Sequence, residues 1–197
     1  MYAIVKDGAI TATASTVKKL FPNTSFPSTP NTDFLTENNV KDVVHAEQKD
    51  RTYYFVTPGD LQVIDGVPTQ QYTNTAKRLT DEDAKDADGN QLYVKVWDAS
   101  ANSGNGAMVD SSEKLVNKGL KTDMTNRVKI NAGQLLSKTD WMVIRKYERD
   151  VAIPSATATY RAAVITECTR LESAIAGAGD VDALATVMGA QNWPEES

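Results

Sequence analysis

One cysteine and one histidine stand in a chain of 197 residues, and that scarcity closes several routes at once. Cys168 has no second thiol to pair with, so no internal disulfide framework holds the fold. His45 has no second histidine and no cysteine nearby, which excludes most histidine-based metal sites and most histidine-dependent catalytic triads. Long apolar runs are also lacking: no stretch approaches the roughly 18 residues that a membrane span needs. The opening "MYAIVKDGAI" has neither a basic region nor a long apolar core, so no signal peptide is expected and synthesis in the cytoplasm follows. Positive charge is in deficit, with 21 Lys and Arg against 26 Asp and Glu. A net charge of −5 argues against broad nucleic-acid binding, which needs a clustered basic surface. The 41% hydrophobic and 24% charged fractions suit a globular protein.

The motifs with the look of chemical sites fail in turn. "KDADGN" suggests a calcium loop. With Gly89 at the glycine position, however, the loop begins on Ala84 and ends on Lys95, where an acidic ligand is required. "NSGNG" is not followed by Lys-Ser or Lys-Thr, so it is no phosphate-binding loop. Cys168 falls on an apolar helical stripe, as a buried structural thiol does. No catalytic residue, metal ligand or cofactor site is therefore expected, and the chain reads as a non-enzyme.

Spacing divides the chain. The first hundred residues read as short strands and turns, with hairpin signals at Asp7-Gly8 and Asp65-Gly66 and a further turn at Pro58-Gly59. Pro22, Pro27 and Pro30 impose irregular backbone between a short helix near residues 17–20 and a second one capped by Thr32. Strands are predicted over 40–46 and around Leu92, Val94 and Val96. "ASANSGNGAMVDSS" reads as a linker. Helix formers dominate from about residue 120. Asp140 is predicted to cap a helix starting at Trp141, and Pro154-Ser155 to start another. Tyr160, Val164, Cys168, Leu171 and Ile175 form one apolar stripe, and Asp180 caps a last helix. The expected architecture is α+β: a β-rich domain over 1–98, a linker or insertion over 99–119, and a helical module over 120–190.

The segment "LLSKTDWMVIRKYERDVAIPSATATYRAAV" concentrates Trp, Tyr and Arg, the residue types favoured at interaction hot spots. Arg145 lies four residues after Trp141, so its guanidinium can sit over the indole. The competing reading is that Trp141 and Tyr160 simply pack a helical hairpin while the charged residues decorate its outside.

These residues resemble the C-terminal module of phage tail assembly chaperone and tail fibre assembly proteins. The resemblance rests on Leu135, Leu136, Thr139, Asp140, Trp141, Arg145, Glu148, Pro154, Tyr160 and Arg161. Upstream, "MYAIVKDGAI", "LFPNTSFP", "TDFLTENNVKDVV", "VIDGVPTQQYT" and "RLTDEDA" are similar in order to the N-terminal elements of that family. It covers residues 1–84 and 127–171. Between them lies an extra stretch, and the family's second aromatic, often a Trp after the Asp-Gly strand, is Pro68 or Tyr72 here. The resemblance implies a non-enzymatic phage protein that binds tail or tail-fibre protein, either retained in the virion as a structural part or acting as a transient assembly chaperone. Its partner-binding residues would be Trp141, Arg145, Glu148, Tyr160 and Arg161. Self-association is a further option. Its place would be the host cytoplasm during assembly and then the virion tail.

Overall fold

A computed structural model describes residues 1–26 and 30–195. The chain is α+β, with most strands in the N-terminal part and the long helices at the C-terminus. It divides into two compact units, Met1–Ala76 and Lys77–Ser197. The division falls earlier than the sequence boundary at residue 98, so the strands after Ala76 belong with the helices.

In the first unit, β1 (Tyr2–Lys6) and β2 (Ala9–Ala14) form the hairpin announced by Asp7-Gly8. Both turn residues have left-handed φ, 50° and 75°. That conformation matches the twist of the flanking strands. The helix α1 (Val17–Leu20) starts at Thr16, whose Oγ1 accepts from the Lys19 amide at 3.3 Å. Helix α2 (Thr32–Glu37) is capped by Asn31 rather than by Thr32: the Asn31 side chain accepts from Asp33 N at 2.9 Å. Pro27 lies outside the described residues. The strand expected over 40–46 is broken at Val43 into β3 (Val40–Asp42), which pairs with β1, and β4 (Val44–His45), which runs parallel to residues 69–70 of a later strand. Strands β5 (Tyr54–Ile64) and β6 (Val67–Ala76) form a long hairpin around Asp65-Gly66. Pro58-Gly59 is not a turn. It is a bulge within β5, where the pairing shifts between Pro58 and Leu61. A bulge tolerates the missing proline N–H, so the chain can continue through it.

The second unit begins with β7 (Glu82–Asp83) and β8 (Tyr93–Asp98). A single turn, α3 (Ala101–Gly104), follows, then β9 (Ala107–Lys114) and β10 (Val116–Asn117). The stretch read as a linker over 99–119 is thus the tip and returning strand of a hairpin, with Trp97 opposite Met108 and Val96 opposite Val109. The run Asn102-Ser103-Gly104-Asn105-Gly106 forms the tip, where Asn102 and Ser103 take left-handed φ of 50° and 56°.

Four helices complete the unit: α4 (Leu120–Ser137), α5 (Asp140–Arg149), α6 (Ser155–Gly177) and α7 (Val181–Gly189). Helix α4 buries Leu120, Met124, Val128 and Ala132, a run at every fourth position that gives one continuous face. Against it α6 buries Tyr160, Val164, Leu171 and Ile175. Leu184 of α7 is also fully buried. Cys168 is only half-buried, and Glu167 occupies the buried position beside it. Asp180 caps α7 by accepting from Ala183 N at 2.7 Å.

Candidate functional site

The corner between α4 and α5 explains why Thr, Asp and Arg stand where they do. The last carbonyls of a helix have no partner within it. Here Arg161, reaching across from α6, donates through Nη1 to the Leu136 carbonyl at 2.8 Å and to Thr139 Oγ1 at 2.7 Å. Its Nη2 pairs with Asp140 Oδ1 at 2.9 Å. Thr139 is itself buried, and its hydroxyl also donates to the Leu136 carbonyl at 3.1 Å. Asp140 therefore does not cap α5. It is the first helical residue, and its carboxylate serves Arg161.

Two residues expected to contact a partner are thereby removed from the surface. The Arg161 side chain is 17% exposed and committed to three acceptors. Tyr160 is 6% exposed and packs in a cluster with Ala132 and Val164, joined at its margin by Leu135, Leu136, Cys168 and Trp193. The resemblance grouped Tyr160 and Arg161 with Trp141 as partner-binding residues, but α6 turns the tyrosine inward and spends the arginine on the corner.

Trp141, Arg145 and Glu148 remain on α5, a helix of 10 residues in which none is buried. Trp141 is 51% exposed, and the Arg145 guanidinium lies 4.9 Å from the centroid of its ring. Such stacking fixes the indole without covering its outer surface. Arg145 and Met142 are the half-buried positions of the helix. Arg145 Nε is shielded from solvent and has no hydrogen-bond partner among the described residues. Ile144 is 56% exposed and Tyr147 is 93% exposed. These two were missed in the sequence, although Ile144 follows Trp141 by three positions and Tyr147 follows Ile144 by three, which marks one apolar ridge. Helix α5 ends on Asp150, which is left-handed at φ 53° and ion-paired to Lys146 at 2.6 Å.

Elsewhere several titratable groups are engaged in structure. Asp86 accepts from the amides of Asp88 and Asn90 and closes the acidic turn on itself. His45 Nδ1 lies 2.6 Å from the Tyr72 hydroxyl on an exposed sheet face. The Cys168 thiol donates to Glu172 at 3.3 Å and is pushed above its ordinary pKa, first by burial and then by that carboxylate. Among the described residues, no group of three or more His, Cys, Asp and Glu could hold a metal ion. No described helix is long and apolar enough to cross a membrane. Comparison of the chain with protein-family models, with curated proteins and with solved structures finds no match.

Proposed function

We propose that this chain is a non-enzymatic phage tail-associated protein that binds tail or tail-fibre protein through α5. One observation carries the reading: a helix of 10 residues buries none of them and presents Trp141, steadied by Arg145, to solvent. A helix that short is marginal by itself in water. Exposed Trp, Tyr and Arg together are the composition of an interaction hot spot. The segment "LLSKTDWMVIRKYERD", which resembles the tail assembly module, points to the class of partner. Thr139, Asp140 and Arg161 build the corner from which α5 projects, and Trp141, Ile144, Arg145, Tyr147 and Glu148 form the contact surface.

Retention in the virion is favoured over a transient chaperone role by the hairpin of β8 and β9. It adds further exposed apolar surface at Trp97 (64%) and Met108 (56%) to the same unit. Such surface suits a lasting interface better than a passing one. The test has two stages. Tagged chain expressed during infection should co-purify tail or tail-fibre protein, and Trp141→Ala should lose it while still folding. Purified virions examined by mass spectrometry then separate the two roles. Presence of the chain supports the structural part, and its absence despite capture supports the chaperone. Capture at full yield by Trp141→Ala would overturn the α5 assignment.

A further inference from the structure

After α7 the chain turns back along α6 without regular structure. Three contacts hold it there. Arg170 Nη2 donates to the Ala190 carbonyl at 2.9 Å. The Asn192 amide donates to Glu167 Oε1 at 2.7 Å. Trp193 packs on the cluster of Ala132, Tyr160 and Val164 that Leu135, Leu136 and Cys168 also border. Its indole N–H is bonded locally, to Gln191 Oε1 at 2.8 Å. Beyond it, Pro194 lies beside Tyr160 and Ala163 along an open groove of about 470 Å³.

The anchoring converges on one carboxylate. Glu167 is 8% exposed and accepts from Arg170 Nε and Nη2, both at 2.7 Å, as well as from Asn192. A buried carboxylate is tolerated only when its lone pairs are filled this way. The segment partly buries one large apolar side chain, Trp193, and belongs to no helix or sheet ladder. Segments of that kind open at far lower free energy than the helices beneath them.

We propose that residues 191–195 form a releasable strap: it covers the apolar groove between α4 and α6 with Trp193, is fastened through Glu167, and opens while the helices stay folded. Opening uncovers Tyr160 and loosens the margin of the cluster that Leu135, Leu136 and Cys168 border. Leu135 and Leu136 lead directly into the Thr139–Asp140 corner, so the uncovered surface adjoins the exposed ridge of α5. Closed, the strap shields this surface in the free protein. Open, it enlarges the surface offered to a partner. That last step rests on the tail-binding reading, whereas the strap itself does not.

Cys168 is the sole thiol, so it reports on the strap without an added probe. The full chain is labelled with an aromatic disulfide reagent at a series of low urea concentrations, with no partner present. The expected result is slow labelling whose rate is flat in urea well below the global transition. Trp193→Ala and Glu167→Gln should each raise that rate about tenfold, with helix content retained and the amides of α6 still strongly protected at the urea concentrations used. Three results would overturn the strap: labelling of the native chain as fast as in the unfolded chain, a rate that climbs with urea in step with global unfolding, or native-rate labelling in both variants. If both variants lose the helical fold, residue 193 belongs to the cooperative core and the proposal fails. If one variant does so, the other decides. None of these results depends on whether a tail protein binds.

Discussion

Arg161 reaches 25 positions back along the chain to hold the Leu136 carbonyl at 2.8 Å, and in doing so sets where Trp141 stands. The same guanidinium binds Thr139 and Asp140, the two residues immediately before the tryptophan. Replacing it removes three charge-assisted contacts from a mostly covered site. Arg161→Ala should therefore destabilise the helical unit by roughly 2–3 kcal/mol, and Arg161→Lys should recover only part of that, because one ammonium cannot span all three acceptors. Trp141→Ala should change stability by no more than about 0.5 kcal/mol yet weaken partner association by about 1–3 kcal/mol. Urea unfolding and partner co-purification, run on the same variants, read the two effects apart. Equal loss of stability in both would place Trp141 in the core.

A second prediction concerns the start of α4. Gly119 precedes the helix, and a Cβ there would fall within the backbone of Thr80. The close approach lets Asp81 Oδ1 accept both the Gly119 amide and the Thr122 hydroxyl at 2.7 Å, while Leu120 N bonds Arg78 O at 2.9 Å. This is a helix N-terminus capped by a remote carboxylate. Asp81→Ala should cost roughly 1 kcal/mol, in the range of a lost cap. Gly119→Ala should cost more, since it forces the whole 78–81 segment away. Thermal melts of both single variants and the double variant check this. The double should be less than additive, because displacing the segment already removes the cap.

The hairpin tip should be the first site of proteolysis in the second unit. Asn102 and Ser103 are both left-handed and exposed, and among the described residues β8 and β9 pair only with each other. Two strands alone are marginal in water. Cleavage should fall within 101–106 and spare the paired residues of β9, which the strand ladder protects. Gly106→Ala should increase the cleavage rate, because a Cβ there would enter the Trp97 ring and its left-handed φ of 77° disfavours alanine. Mass mapping of early fragments is the measurement. First cuts elsewhere would mean that the tip is covered.

Local signals proved legible, and those that depend on distant partners did not. Asp7-Gly8 and Asp65-Gly66 announced their turns because left-handed backbone has a strong residue preference. Asp180 announced α7, and the α6 stripe announced its own buried face, because both are short-range patterns. The strand β9 was hidden because Asp110, Ser111, Ser112 and Glu113 carry little β preference, and its register comes from β8. Pro58-Gly59 looked like a turn, but pairing on both sides carries β5 through it. In the site, Trp141 and Arg145 could be paired by helical spacing alone. The roles of Tyr160 and Arg161 could not, since whether an aromatic or an arginine faces core or solvent is settled by the helix packed against it.

Glu167 gives the last prediction, a dependence on pH. Its pKa is held below the ordinary glutamate value of 4.5, first by the Arg170 hydrogen bonds and then, against the opposing effect of burial, by the Asn192 amide. A carboxylate whose folded pKa is depressed contributes stability that is fully present above its unfolded value and is lost as pH falls through the folded one. The contribution should thus be constant from about pH 7 to about pH 5 and disappear in more acidic solution. Asp81 is lowered as well, chiefly by the Gly119 amide, and adds to the same acid loss. Glu167→Gln isolates one share of it. The variant should be less stable than the native chain at neutral pH by a fixed margin, because a neutral amide cannot make the charged pair with Arg170. That margin should shrink as acid protonates Glu167 in the native chain. Urea unfolding of both proteins at several pH values measures the gap directly. A gap that stays the same into strong acid would show that Glu167 acts through its shape and not its charge.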